Sequence, residues 1–184
     1  HSSNLLPQLA QIIEDIRGEF TAKNQVRDAT LNRSREVIRY CALSIRAIHR
    51  HEWTEAEQLL ATARQAATVM TADLMSYADL YDAGYTQDAL KELVEAHTLF
   101  AFVRGGDLPG PAELGVPSAA YLNGLAEAAS ELRRFTLDLI RLGRSSEGEP
   151  YLAMMDDVYS HLVTMDFPDA LTGGLRRTTD VLRG

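Results

Sequence analysis

The sequence predicts an all-α protein, a single-domain bundle of about six to seven helices spanning residues 1–184. Two observations carry this. Helix-forming residues dominate, and no alternating valine- or isoleucine-rich run marks a strand. Glycine and proline gather at a few places, most densely between Arg104 and Pro117, instead of punctuating the chain every ten residues or so as in a β-sandwich.

Taken in order, a very long first helix is predicted from Leu6 to Arg50, broken by His51-Glu52-Trp53. Thr54 is placed to cap a second helix running through Tyr81. Gly84 marks the next turn, and Thr86 with Asp88 opens a third helix that reaches Val103. Residues 104–117 hold Gly105, Gly106, Pro109, Gly110, Pro111, Gly115 and Pro117 and read as the one real loop. A fourth helix follows from Ser118 to Leu142 and stops at Gly143. Residues 144–150 read as a short polar turn, a fifth helix as Pro150 to Met165, and a sixth as opening after Pro168. No repeat of solenoid length recurs. His1-Ser2-Ser3 resembles a cloning remnant and is left out of the reading.

Composition narrows the function classes. With 46% hydrophobic and 24% charged residues the chain has the balance of a globular protein, which excludes disordered and low-complexity classes. A lone cysteine, Cys41, excludes an internal disulfide and a cysteine-rich zinc site, and points to a reducing cytoplasm. No uncharged stretch approaches the roughly 20 apolar residues of a membrane span, and the polar, then amphipathic, opening predicts no signal peptide. The formal net charge is −8, from 18 basic and 26 acidic residues, so the protein is not coated in positive charge. A local basic strip is compatible with that sum. All the basic residues except Lys23 and Lys91 are arginine, the side chain suited to bidentate phosphate contacts.

The helix faces carry two charge patterns. On the first helix Leu31, Ile38, Cys41, Ile45 and Ile48 share one side. Arg35, Arg39, Arg46 and Arg50 fall within about 60° of one another on a different side, a row of roughly 22 Å at 1.5 Å per residue. Such a row is ordinarily a solvated face; it is also long enough to track a phosphate backbone. On the third helix Asp88, Glu92 and Glu95 share a face opposite Leu90, Leu93, Val94 and Ala101. On the fourth, Leu122, Leu125, Ala129, Leu132, Leu139 and Ile140 form an apolar stripe, with Glu127, Glu131, Arg134, Asp138 and Arg141 opposite. Like charges at these spacings repel by a few tenths of a kcal/mol. Water and neighbouring arginines answer that repulsion, with Arg134 placed to meet both Glu131 and Asp138. The functional reading is convergence of the carboxylates on a hard divalent cation such as Mg²⁺ or Mn²⁺.

Other chemistries lack their residues. No Glu-x-x-His or Asp-x-x-His supplies a di-iron bundle, and GxxxxGK[ST], GxGxxG and HExxH do not occur. His97 falls on the apolar side of its helix and reads as a core residue. Met154, Met155 and the aromatics around Tyr151 read as core as well.

Three segments carry a resemblance: RDATLNRSREVIRYCALSIRAIHR at 27–50, DALKELVEAHTLFAF at 88–102, and YLNGLAEAASELRRFTLDLIRLG at 121–143, followed by YSHLVTMDFPDALTGGLRRTTDVLRG. Together, in this order and over nearly the whole chain, they resemble the translin superfamily, in the manner of a prokaryotic-type member similar to its catalytic subunit. That subunit carries a glutamate pair in Q-E-Y-V-E-A, matched here by K-E-L-V-E-A with Glu92 and Glu95. It carries an aspartate and a glutamate in G-V-A-D-L-T-G-E-L, matched by G-L-A-E-A-A-S-E-L with Glu127 and Glu131. Glu127 therefore stands where the motif has aspartate, one methylene longer.

The resemblance implies a metal-dependent endoribonuclease. In it Glu92, Glu95 and Glu127 would be catalytic and, with Glu131, would hold one or two Mg²⁺ ions, Mn²⁺ being an equal match. It implies single-stranded RNA, and also single-stranded DNA, as partner, positioned by Arg35, Arg39, Arg46 and Arg50. It further implies assembly into a closed homo-octamer with no membrane partner. Its alternatives are a translin-like carrier that binds without cutting, and a structural bundle whose charged faces are merely solvated.

Overall fold

The chain folds as helices packed in layers around one central helix. A computed structural model describes residues 4–184; His1 to Ser3 lie outside it. Among the described residues every regular element is helical: α1 (Leu5–His49), α2 (Trp53–Ala72), α3 (Ala78–Tyr81), α4 (Gly84–Arg104), α5 (Pro111–Leu114), α6 (Ser118–Arg141), α7 (Ser145–Leu162), α8 (Asp169–Thr172) and α9 (Leu175–Arg183). Six of these are substantial and three are single turns. None of the helices is long and apolar enough to cross a membrane.

Helix α4 lies between α1 on one side and α6 on the other, with α2 and α7 completing the layers and α9 packed along α6. One cluster of buried side chains joins them: Val37, Cys41 and Ile48 from α1, Leu60 and Met70 from α2, Leu90, Leu93, Val94 and Leu99 from α4, Leu132 and Phe135 from α6. The turn between α1 and α2 is made by His51, whose backbone sits in the left-handed region at φ 60°. Its ring stacks on Phe135, with 5.0 Å between centroids, which anchors a conformation that is uncommon for a residue with a side chain.

Several boundaries differ from the sequence expectation. The second helix ends at Ala72, and residues 73–77 turn before α3, so one predicted helix is two. Leu74 and Leu80 both bury, which a straight continuation would not permit, and Asp73 pairs back to Arg33 on α1. Helix α4 opens at Gly84, two residues before Thr86. The Thr86 hydroxyl is not a cap; it donates to the Leu80 carbonyl at 2.7 Å and closes the corner with α3. Residues 111–114 of the predicted loop form a helical turn, ended by Gly115 in the left-handed region. Helix α7 starts at Ser145, not Pro150, because Arg144 and Glu147 bind each other across the first turn at 2.5 and 2.7 Å. Pro150 is accommodated inside it. The last predicted helix is divided into α8 and α9 by Gly173 and Gly174, both with positive φ. Ile140, read as part of the α6 stripe, is 47% exposed, whereas Leu139, about 100° away around α6, is buried.

Helices α4 and α6 make a close contact at Gly124. A methyl group at Gly124 would lie 2.6 Å from the Lys91 carbonyl oxygen and 2.6 Å from the Val94 Cβ. Only glycine allows this approach, although in an isolated helix alanine would be favoured by about 1 kcal/mol. Gly124→Ala is expected to cost about 1–3 kcal/mol net, as overpacking against a rigid backbone does. A thermal melt should show a fall of several degrees, at roughly 2–4 °C per kcal/mol for a chain of this size.

Candidate metal centre and basic face

Glu92 and Glu95 stand one turn apart on α4, so their side chains leave the same face. That face meets α6, and Glu127, one turn beyond Gly124, reaches back toward it. One carboxylate oxygen from each of Glu92, Glu95 and Glu127 lies within 4.8 Å of the others, and three carboxylates so disposed can hold a metal ion. The methylene by which Glu127 exceeds aspartate does not prevent the convergence.

The electrostatics follow from burial. Glu95 is only 6% exposed. Burial, then the Glu92 charge and hydrogen bonds to Glu92 and Glu127, push its pKa up to about 10, so in the metal-free protein it keeps its proton at neutral pH. Burial also raises Glu92, and the nearby Glu127 adds to it. The Cys41 thiol, fully buried on α1, is pushed up by its burial and by Glu92 and Glu95. One cation belongs to the cluster: the Lys91 ammonium lies 3.2 Å from Glu127 Oε1. Burial opposes its charge, but Glu127, Asp88 and Glu92 together hold it above its usual range.

Glu131 stands apart from the three. Its Oε2 is bonded to His49 Nε2 at 2.6 Å, an interaction between α6 and the end of α1. This bond holds Glu131 below the usual carboxylate range against its burial. Arg134 lies at 3.9 Å from the same oxygen, while Asp138 pairs with Arg141 at 3.2 Å and not with Arg134. Glu95, Glu127 and Glu131 nevertheless line one open hollow of about 390 Å³, together with Ser130, Arg177 and Thr178. Thr178 is tied down by donating to Asn123 Oδ1 at 2.8 Å, and Asn123 in turn donates to the Thr172 carbonyl at 2.7 Å.

Arg35, Arg39, Arg46 and Arg50 are all exposed along the outer side of α1, and among the described residues none forms an ion pair. Arg39 rests over the Tyr40 ring at 4.6 Å. By helix geometry His49 lies between about 40° and 100° around α1 from these arginines, so the basic row borders the side of α1 that meets Glu131. Sequence reasoning did not find the His49–Glu131 bond, the Lys91–Glu127 pair or the α9 wall of the hollow. Each joins residues far apart in sequence. The unusual scarcity of lysine, with Lys91 next to Glu92, was the available signal for one of them. His97, as expected, is a core histidine, held down at about 4 by burial and Arg64.

No family model matches the chain. It is 29% identical over 163 residues to an uncharacterized protein of Methanocaldococcus jannaschii, covering 88% of this chain and 72% of that one. Among solved structures it is similar to AfC3PO in a complex with duplex RNA, at 33% identity and a TM-score of 0.81 over 94% of this chain and 89% of that one. A second AfC3PO structure gives 32% and 0.79 over 94% and 90%. The apo form of NeC3PO gives 0.83 over 93% and 89%, but at 20% identity it speaks for the fold alone.

The buried proton on Glu95 has a measurable consequence. Its folded pKa exceeds the unfolded value, so above about pH 4.5 the unfolded chain releases a proton that the folded chain keeps, and stability falls as pH rises toward about 10. In chelator, melting temperature should decline between pH 7 and 9. Glu95→Gln keeps the shape without the titration and should flatten the decline; an equal slope in both proteins would contradict the assignment.

Proposed function

This chain belongs to the translin superfamily, and from that premise we propose that it binds RNA and cleaves it as a metal-dependent endoribonuclease. The observation that carries the reading is the convergence of Glu92, Glu95 and Glu127 at the α4–α6 contact. The donor set fits the group: three oxygen ligands from carboxylates, largely withdrawn from water, match Mg²⁺ and equally Mn²⁺. When bound, such an ion would lower the pKa of a coordinated water and offset the charge that grows on the phosphate during attack.

The chain's own residues supply the rest. Glu92, Glu95 and Glu127 would be the catalytic carboxylates that hold the ion. Glu131 lines the same hollow with Oε2 held by His49, and would contribute its other oxygen to the ion or to a water. Arg35, Arg39, Arg46 and Arg50 would grip the backbone of the strand without reading bases, so affinity should fall steeply with salt. Single-stranded RNA is the proposed substrate, with single-stranded DNA as a competing ligand; the duplex carried by AfC3PO supports the RNA-backbone reading. The alternative of a non-cutting carrier draws on one observation, the Lys91 ammonium seated on a carboxylate that the ion would use.

Assembly is part of the proposal. No residue of α1 before Thr30 is buried, so its first 25 residues form a stem of about 37 Å. Leu6, Leu9, Ile13, Ile16 and Phe20 are exposed on it at alternating spacings of three and four, the seam of helices that pair with other helices. A homo-octamer closed through such stems would place the acidic exterior outside and the basic rows within.

The deciding experiment is cleavage of a labelled single-stranded RNA and its duplex, with Mg²⁺ or with chelator, by this protein and by Glu92→Ala. Metal-dependent cutting that falls by about two or more orders of magnitude in the variant is expected, as for loss of a metal ligand. Undiminished cutting by Glu92→Ala would refute the assignment, and binding without cutting by the unaltered protein would leave the carrier. For the assembly, Ile13→Asp with Ile16→Asp should reduce a multi-chain mass toward the 20.4 kDa of one chain. A 20 kDa species before mutation would rule the octamer out.

A further inference from the structure

We infer that Lys91 is a resident cation of the acidic cluster that stands where a second divalent ion would otherwise sit, so that the site takes one metal ion per chain. The inference rests on the metal-site reading above. Two-metal sites hold their ions about 3.5–4 Å apart and share bridging carboxylates between them. Here the oxygens that converge come from three side chains, and Glu131 is engaged by His49. Of the three, Glu127 already has an ammonium at 3.2 Å on Oε1. A second ion at this cluster would have to share Glu127 with that ammonium, and like charges so close repel.

The position of Lys91 is imposed by the fold. Its carbonyl is the atom against which Gly124 packs, and Glu127 follows one turn later on α6, so the two side chains are brought together by the same contact that brings Glu127 to Glu92 and Glu95. The choice of residue agrees with this role. Among 18 basic residues the chain has two lysines, and one of them is here. An ammonium is a compact point charge that can replace an ion at one oxygen, whereas a guanidinium is a planar fork that would span two.

The test uses the full chain and Mn²⁺ alone, with calorimetric titration and melting in chelator as readouts. Unaltered protein should bind one Mn²⁺. Lys91→Gln, which removes the charge and keeps a polar side chain, should bind a second ion or hold the first at least about tenfold more tightly, since a unit charge a few ångströms away has been removed. In chelator Lys91→Gln should melt below the unaltered protein, and Mn²⁺ should close the gap. Lys91→Arg keeps the charge and should keep the stoichiometry of one.

Two ions bound by the unaltered protein would overturn the inference. So would a Lys91→Gln variant with the same affinity, stoichiometry and metal-free melting temperature, or a Lys91→Arg variant that admits a second ion. If no Mn²⁺ binds to any of them, the metal reading falls. The role of Lys91 as resident cation is then decided by the metal-free melt alone: a lower melting temperature in Lys91→Gln keeps it, and an unchanged one removes it.

Discussion

Helices α4 and α6 approach each other over a position that has no side chain, and most of what is distinctive in this protein follows from that approach. With Gly124 against the Lys91 carbonyl, the next turn of α6 delivers Glu127 beside Glu92 and Glu95. The same contact also decides which helix is central. Because α6 lies so near, α4 is covered on that side, and its remaining faces go to α1 and α2, which is how Glu95 comes to be buried.

Holding three carboxylates, one buried and two half-buried, within 4.8 Å of one another is costly, and the protein meets the cost in more than one way. Glu95 keeps a proton that Glu92 and Glu127 share by hydrogen bonding. Lys91 offsets the charge on Glu127. Glu131, the next acid along α6, is drawn off by His49 and left ionised. These devices let the site exist without a bound ion. They also make it responsive to one, because a divalent cation would displace the proton and relieve the remaining repulsion together. A net charge of −8 and the proposed affinity for a polyanion are compatible because the exposed arginines Arg35, Arg39, Arg46 and Arg50 share one side of α1.

How much of this was legible beforehand depends on the range of the interaction. The long helices were, since the periodicity of α1, α4 and α6 is local and their ends are marked by glycine and proline. The breaks at Ala72 and Gly173 were not equally visible. The first depends on where Leu74 and Leu80 find a core, which no local pattern states; the second is marked locally by Gly173-Gly174, beside the competing signal of the proline at 168. Within the site, Glu92 and Glu95 could be paired from their spacing on one helix. Their meeting with Glu127 could not be obtained from spacing; it came from the family's motif, because helix-to-helix register is set by a glycine whose partner lies some thirty residues away. The His49–Glu131 bond and the Lys91–Glu127 pair are tertiary in the same sense.

Helix α1 links these parts mechanically. Its inner half contributes Cys41 to the core beside Glu92 and Glu95, and His49 to Glu131; its outer half is the apolar stem. Between them the arginine row runs along the same continuous helix, without a break in 45 residues. A helix of that length transmits rotation and tilt along its axis, so a partner seated on the stem fixes the direction in which Arg35 to Arg50 point. The acidic cluster is already assembled within one chain. On the proposed function, the path of a strand toward that cluster would be defined once neighbouring stems hold α1 in place, so assembly would align substrate with the site as well as enclose it.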